Sequence, residues 1–485
     1  MPERPHILIL MTDQQRGDCL SCAGHPVVKT PVLDALAGEG VRFANAYTSS
    51  PVCMPARSSF LSGLYVHNHG QWNNYGHLAE DVDTYLHHVK RAGYRTCHVG
   101  KSHLFQHRPG EDMRDYDPFM HRLGWDDVME TGGPWGSVEA GSIASDHWKR
   151  LGVWEKLRAD YERRRHRNDG HIKSLWPSVL PEGETLDDFV ACTAADYVRS
   201  YEREGPLLLF VGFGSPHEPW DPPKSWADRY DPEAMPPPKP ATEPGEWVPA
   251  KAAARQREWQ SMLDLAPEQI ATIAARYYAK ISHADECAGR VIKAFRDRGW
   301  LDRTAVLFWS DHGEMLGSKR RLHKGVFYEE SAHVPLILRR PGEPNAGAAV
   351  EGLVEITDVF PTILDLAGCP PKEGIQGRSL VPVCGDPSAR VHDAVFSEIG
   401  FDSTTMIRDE RYKMVVDCEG DGLMLYDLTD DPDEHVNLLG RPDMAEAEAR
   451  LRDRLLRWHL AARTDQRRTR AGFEAPDPPR IECAP

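Results

Sequence analysis

The 485-residue sequence has no apolar run that approaches the length needed to span a bilayer. It also lacks a secretory signal. The opening "MPERPHILILMTD" is basic, but its apolar run is short before Thr12 and Asp13, and no small-residue cleavage site follows. A cytoplasmic protein with no membrane partner is expected. Positive charge is in short supply, with Lys+Arg 58 against Asp+Glu 74 and a net charge of −16. That balance argues against nucleic acid as a partner, while leaving room for a local cationic pocket. Paired cysteines are missing too. Ten cysteines are scattered along the chain; Cys19 and Cys22 have CxxC spacing, but no second pair completes a zinc site. In a reducing compartment most should behave as small hydrophobes. No internal repeat is visible.

What is present describes an ordinary globular chain, with 40% hydrophobic residues, 27% charged residues and 39 glycines. Four continuous apolar runs read as buried strands of a parallel sheet: "HILILMT" at 6–12, "YRTCHVG" at 94–100, "PLLLFVGFG" at 206–214 and "TAVLFWS" at 304–310. Helical patterns separate them, so the fold class is α/β, a mostly parallel central sheet flanked by helices. A further strand, "HVPLILR" at 333–339, and the helix "TDVFPTILDLAG" complete this unit. A Gly/Pro-rich passage near 370–390 marks a boundary. The expected division is 1–385 for the α/β domain, 386–464 for an antiparallel sheet plus helix, and 465–485 for an extended tail. That tail could reach a neighbouring subunit, which leaves a homo-oligomer open. Long Trp- and Pro-rich interruptions at 104–185 and 218–260 are of the kind that shape a pocket. The basic run at 162–168 reads as a solvated helix face, "HNH" at 67–69 as helix-end surface or pocket wall, and Asp285 and Asp358 as structural.

In open parallel sheets, ligands bind beyond the carboxyl ends of the strands. Each of the four runs leads there into polar residues: Asp13-Gln14, Lys101-Ser102-His103, Ser215-Pro216-His217 and Asp311-His312. One such residue would mean a helix cap or a packed histidine, whereas four coincidences at one edge point to a site. Asp13, Gln14, Asp311 and His312 are hard or borderline ligands, suited to Ca²⁺, Mg²⁺ or Mn²⁺. Lys101, His103, His217 and Lys324 supply cations and proton donors. Together they describe a pocket for an anionic ester. Cys53 stands two residues ahead of Pro55, a good first helical residue, and Arg57 lies one turn in. A thiolate phosphatase would enclose a five-residue loop between cysteine and arginine; here three intervene, one of them proline.

"CMPARSSFLSG" resembles the signature C-x-P-S-R of the type I sulfatase family, within the alkaline phosphatase superfamily, departing at Ala56. "TPVLDALAGEGVRFANAYTSSPVC", "GYRTCHVGKSH", "SPHEPWDPP", "LFWSDHGEMLG", "HVPLILRRPG" and "TDVFPTILDLAG" are similar to further elements of that family, in its order. The resemblance implies that Cys53 is converted to formylglycine (3-oxoalanine) by a formylglycine-generating enzyme. It assigns Asp13, Gln14, Cys53, Asp311 and His312 to one divalent metal, with calcium as default and manganese or magnesium as competitors. Modified Cys53, its hydrate made more acidic by Arg57, would attack a sulfate ester to give a covalent sulfo-enzyme. Lys101 and Lys324 would bind sulfuryl oxygens, His217 would protonate the leaving alcohol, and His103 would assist release. Gln14 and His312 stand where the family more often has Asp and Asn, as in choline-sulfatase-like and phosphonate-monoester-hydrolase-like members. The rival readings are a phosphonate monoester or phosphodiester hydrolase on the same scaffold, which the "GKSH" lysine and histidine oppose, and a scaffold that has lost its chemistry. Aryl, choline and carbohydrate sulfates all remain candidate substrates.

Overall fold

A computed structural model of the chain describes residues 4–166, 175–260 and 265–462. The tail assigned to 465–485 and the end of the basic run at 162–168 lie outside the described residues. The main sheet contains β1 (His6–Asp13), β2 (Val41–Tyr47), β3 (Arg95–Gly100), β4 (Asp127–Glu130), β5 (Leu207–Pro216), β6 (Thr304–Ser310), β7 (His333–Val334), β8 (Leu336–Arg339) and β9 (Ala348–Glu355). Its order is β4-β3-β5-β1-β6-β8-β2-β7, with β9 paired to β2. The five strands from β4 to β6 run parallel; β8 pairs antiparallel with both β6 and β2, and β7 is antiparallel to β2. The fold is therefore mixed α/β with a mostly parallel sheet.

The continuous apolar runs have a simple cause. Along β1, Ile7, Ile9 and Met11 face a core built with α2 (Cys53–Ser62), α3 (Tyr85–Arg91) and α6 (Val359–Leu366), as α1 to α7 are numbered here. Leu8 and Leu10 face the opposite core, with α1 (Pro31–Glu39), α4 (Leu186–Ser200) and α5 (Pro267–Asp297). Both faces are covered, so a strand needs apolar side chains at every position. Each such buried side chain contributes about 1.5–3 kcal/mol.

A second sheet follows, antiparallel in the order β10 (Ala394–Ile399), β11 (Thr404–Asp409), β12 (Tyr412–Asp417) and β13 (Gly422–Asp427). The helix α7 (Ala445–Ala461) packs on it through Leu451 and Leu455, with Trp458 stacked on Phe396 at 4.4 Å. Two sequence expectations need correction. The run at 333–339 is broken into β7 and β8 at Pro335, which has no N–H for the ladder. Helix α2 begins at Cys53 rather than at Pro55, because proline is tolerated anywhere in a first turn whose N–H groups lack helical partners. Among the described residues, no helix is long and apolar enough to cross a membrane.

Candidate active site

Because β1 lies between β5 and β6, with β3 beyond β5, four parallel strands deliver their carboxyl ends to one edge. Asp13 ends β1, Lys101 follows β3, His217 follows β5, and Asp311-His312 follow β6. All ten residues of α2 are buried, and its first turn presents Cys53 to this edge. The Cys53 sulfur lies 3.0 Å from His312 Nε2. One donor atom each from Asp13, Cys53, Asp311 and His312 falls within 4.8 Å of the others. The His312 Nδ1–H donates to the Gly313 carbonyl at 3.0 Å, which leaves Nε2 free to act as a ligand. Asp13 Oδ1 is wholly buried and has no hydrogen-bond partner. An unpaired buried carboxylate oxygen is costly without a cation. The donor set, two carboxylates with one imidazole and the Cys53 position, therefore fits a divalent ion.

Arg57 is the keystone of this cluster. Its guanidinium donates to Asp311 Oδ2 at 2.8 Å, Asp13 Oδ2 at 3.0 Å, the Lys101 carbonyl at 2.9 Å and the Ser102 carbonyl at 3.2 Å. It thus holds the two carboxylates together and anchors the loop carrying Lys101 and His103. Lys101 makes an ion pair with Asp13. Burial pushes the Asp13 carboxyl up, but Lys101 overrides this and holds it below the usual carboxylate range. Burial likewise pushes the Cys53 thiol up, and Lys324, His312 and Lys101 drive it well below the usual thiol range. His103, buried beside Lys101, falls to about 4 and stays neutral near pH 7.

Lys324 and His217 stand together, with Lys324 Nζ 2.9 Å from His217 Nε2. The His217 Nδ1–H donates to the Glu218 carbonyl at 2.7 Å, aiming Nε2 at the same space. Gln14 has a left-handed backbone (φ 70°) and its N–H donates to Asp311 Oδ1 at 3.0 Å. Its side chain contacts Lys324, Glu314 and Glu218, so it stands beside the four-donor cluster. A cleft of about 210 Å³ opens over Lys101, His103 and His217, walled by Asn74, His107 and Trp135.

Several residues here escaped the sequence reading. Glu130, at the end of β4, accepts the Ser102 N–H at 3.0 Å and the Gly132 N–H at 2.9 Å, fixing the loop after β3. Lys280 of α5 donates to the carbonyls of His217 at 2.8 Å and Pro219 at 2.9 Å. Asn74 accepts the Met54 N–H at 2.9 Å. Each acts on backbone 20 or more residues away, Glu130 on Ser102, Lys280 on His217 and Asn74 on Met54, so no local motif announces it. "HNH" proves to be internal support: His67 pairs with Glu398 at 2.9 Å and His69 meets Ser59 at 2.9 Å. Asp285 accepts the first N–H groups of α1 at 3.0 and 2.8 Å, as a structural residue would. A second buried trio, Asp188, His283 and Cys287, is taken up by Arg290 and the Thr185 cap.

The profile of the family described as Sulfatase matches residues 5–369, and one described as N-sulphoglucosamine sulphohydrolase, C-terminal, matches 317–461. The chain is 28% identical to an arylsulfatase of Clostridium perfringens, over 94% of each chain. It is 30% identical to a choline-sulfatase of Rhizobium meliloti, covering 95% of this chain and 88% of that one. Its structure superposes on the phosphonate monoester hydrolase of Agrobacterium radiobacter with a TM-score of 0.80, at 29% identity over 95% and 96% of the two chains. A buried metal-type cluster at the start of α2, four converging strand ends and a family profile spanning most of the chain agree: the protein belongs to the sulfatase family.

Proposed function

We propose that the protein hydrolyses sulfate monoesters, with Cys53 matured to formylglycine and a divalent metal, calcium by default, held by Asp13, Cys53, Asp311 and His312. Gln14 is the fifth candidate ligand. The observation that carries this reading is the convergence of Lys101, Lys324, His103 and His217 around the start of α2, where a tetrahedral anion would be met from several sides. When bound, the metal and the aldehyde hydrate would supply Lewis acidity and an oxygen nucleophile with a second hydroxyl.

The chain's own residues then have distinct tasks. Lys101 and Lys324 bind the equatorial oxygens and neutralise charge as it builds. His217, its Nδ1–H fixed by the Glu218 carbonyl, presents Nε2 to the leaving oxygen and, as the imidazolium, donates the Nε2 proton to it. His103, held neutral, accepts a proton during release. Arg57 keeps the two carboxylates in place against their mutual repulsion. We place the domain boundary near residue 385, where the main sheet has ended and β10 has yet to begin.

The similarity to a phosphonate monoester hydrolase supports a second reading, that of a phosphonate monoester or phosphodiester hydrolase. The test is peptide mass spectrometry across Cys53 on protein co-produced with a formylglycine-generating enzyme, paired with turnover of 4-nitrophenyl sulfate and 4-nitrophenyl phenylphosphonate. Sulfate turnover that follows the modified fraction supports the proposal. Equal activity in unmodified protein, or a preference for the phosphonate, overturns it.

A further inference from the structure

Two carboxylates at the cationic edge, Glu314 and Glu218, belong to neither the four-donor cluster nor the sheet. Glu314 is engaged by the Leu316 and His323 N–H groups, whereas Glu218 accepts no backbone N–H among the described residues. Glu218 is the third residue of "PHEP", and its side chain is 20% exposed. Its Oε2 lies 3.2 Å from His217 Nδ1, 3.6 Å from His323 Nδ1 and 3.1 Å from Gln14 Nε2. Burial would raise its pKa, but His217, Lys324 and His323 hold it well below the usual carboxylate range. It is therefore an anion set against the Nδ1 side of His217, whose Nε2 meets Lys324 at 2.9 Å. A surplus of cations without such a counter-charge would favour the most highly charged tetrahedral ester available.

We infer that Glu218 sets the charge that the site accepts, selecting singly charged esters over doubly charged ones. The inference rests on the reading of this edge as an ester-hydrolase site. A sulfate monoester carries one negative charge. A phosphate monoester of the same shape carries nearly two above pH 7, because its second pKa is about 6. Size and hydrogen-bond geometry separate the two poorly, whereas net charge separates them well. At an effective dielectric near 20, a unit charge within about 10 Å changes the binding of each ester charge by about tenfold or more. Glu218 thus excludes phosphate monoesters while admitting sulfate monoesters and, by the same rule, phosphonate monoesters.

The experiment uses metal-loaded, matured enzyme and three 4-nitrophenyl esters at pH 8: the sulfate (one charge), the phenylphosphonate (one charge) and the phosphate (two charges). The common leaving group cancels any effect that Glu218 exerts through His217. Glu218→Gln is expected to raise the phosphate-to-sulfate ratio of kcat/KM by about tenfold or more. The phosphonate-to-sulfate ratio should stay constant, and Glu218→Asp should retain the parent's ratios. A Glu218→Gln variant that scales all three esters equally, or a Glu218→Asp variant that shifts the ratio as Gln does, overturns the inference. If sulfate is never cleaved but phosphonate is, the sulfatase reading fails while the phosphate-to-phosphonate ratio still decides this one. If Glu218→Gln does not turn over, thermal stabilisation by phenylphosphonate against benzenesulfonate reads the same preference. A gain confined to the doubly charged phenylphosphonate supports the inference, and equal responses refute it.

Discussion

Two regions of this protein bury charge, and they do so in opposite ways. At the junction between the main and the C-terminal sheets, charges meet partners within the fold. Lys413 pairs with Glu329 at 2.8 Å, Asp358 with His392 at 2.9 Å, and the Tyr65 hydroxyl donates to Glu355 at 2.6 Å. At the carboxyl edge of the main sheet, polar atoms are left over and cations are gathered. Asp13 Oδ1 has no partner, His103 Nδ1 has none, and Lys101 and His217 line one cleft with Lys324 against His217. A region that satisfies itself serves stability; one that leaves its needs to a ligand serves chemistry.

The sharpest way to break this comparison is at Cys53. Cys53→Ala should lower sulfate-ester turnover by at least about 10³-fold while leaving the thermal midpoint near that of the parent, as read by steady-state kinetics and calorimetry. Lys413→Met should do the reverse. Removing the cation that Glu329 and Glu434 share leaves both uncompensated, at a cost of about 3–5 kcal/mol in denaturant unfolding, with kcat/KM of the folded fraction unchanged. If Lys413→Met spared stability and reduced activity instead, the division of roles would be wrong.

A third effect concerns pH. Burial lowers the His392 pKa, but Asp358 overrides this and raises it to about 9 from 6.5. The folded pKa is the higher one, so the stabilisation is complete below pH 6.5 and is lost as pH rises towards 9. It amounts to about 3 kcal/mol. Unfolding free energies measured from pH 6 to 10 should show this decline in the parent and a flatter profile in His392→Gln. The smallest expected effect lies where the two regions meet. Phe401, 64% exposed on the β10–β11 turn, stands over Gly325, the neighbour of Lys324. Phe401→Ala should raise KM for an aryl sulfate about three- to fivefold and leave KM for methyl sulfate unchanged.

Much of this was legible in the sequence, for reasons that particular residues make plain. β1, β3, β5 and β6 are covered on both faces, so their runs are continuous and their ends unmistakable. β2 and β9 escaped because they are only partly covered: Arg42, Ala44 and Asn45 of β2 and Glu351 of β9 are not buried. Asp13, Cys53, Arg57, Lys101, His217, Asp311 and His312 stood in motifs of their own. Glu130, Asn74 and Lys280 did not, because their work is done on backbone brought near by the fold. Long-range hydrogen bonding leaves no local trace.

The complete enclosure of α2 has a consequence for the life history of the chain. In the finished protein Cys53 is 1% exposed, and no enzyme could draw its segment out without dismantling the core around Phe60 and Leu61. If maturation is an enzymatic step, it has to reach this segment before the sheet closes over it. Biosynthesis then becomes a race between a modifying enzyme and a folding chain. Molecules that fold first would be well-formed and permanently silent, so the active fraction of a preparation would record the order of two events.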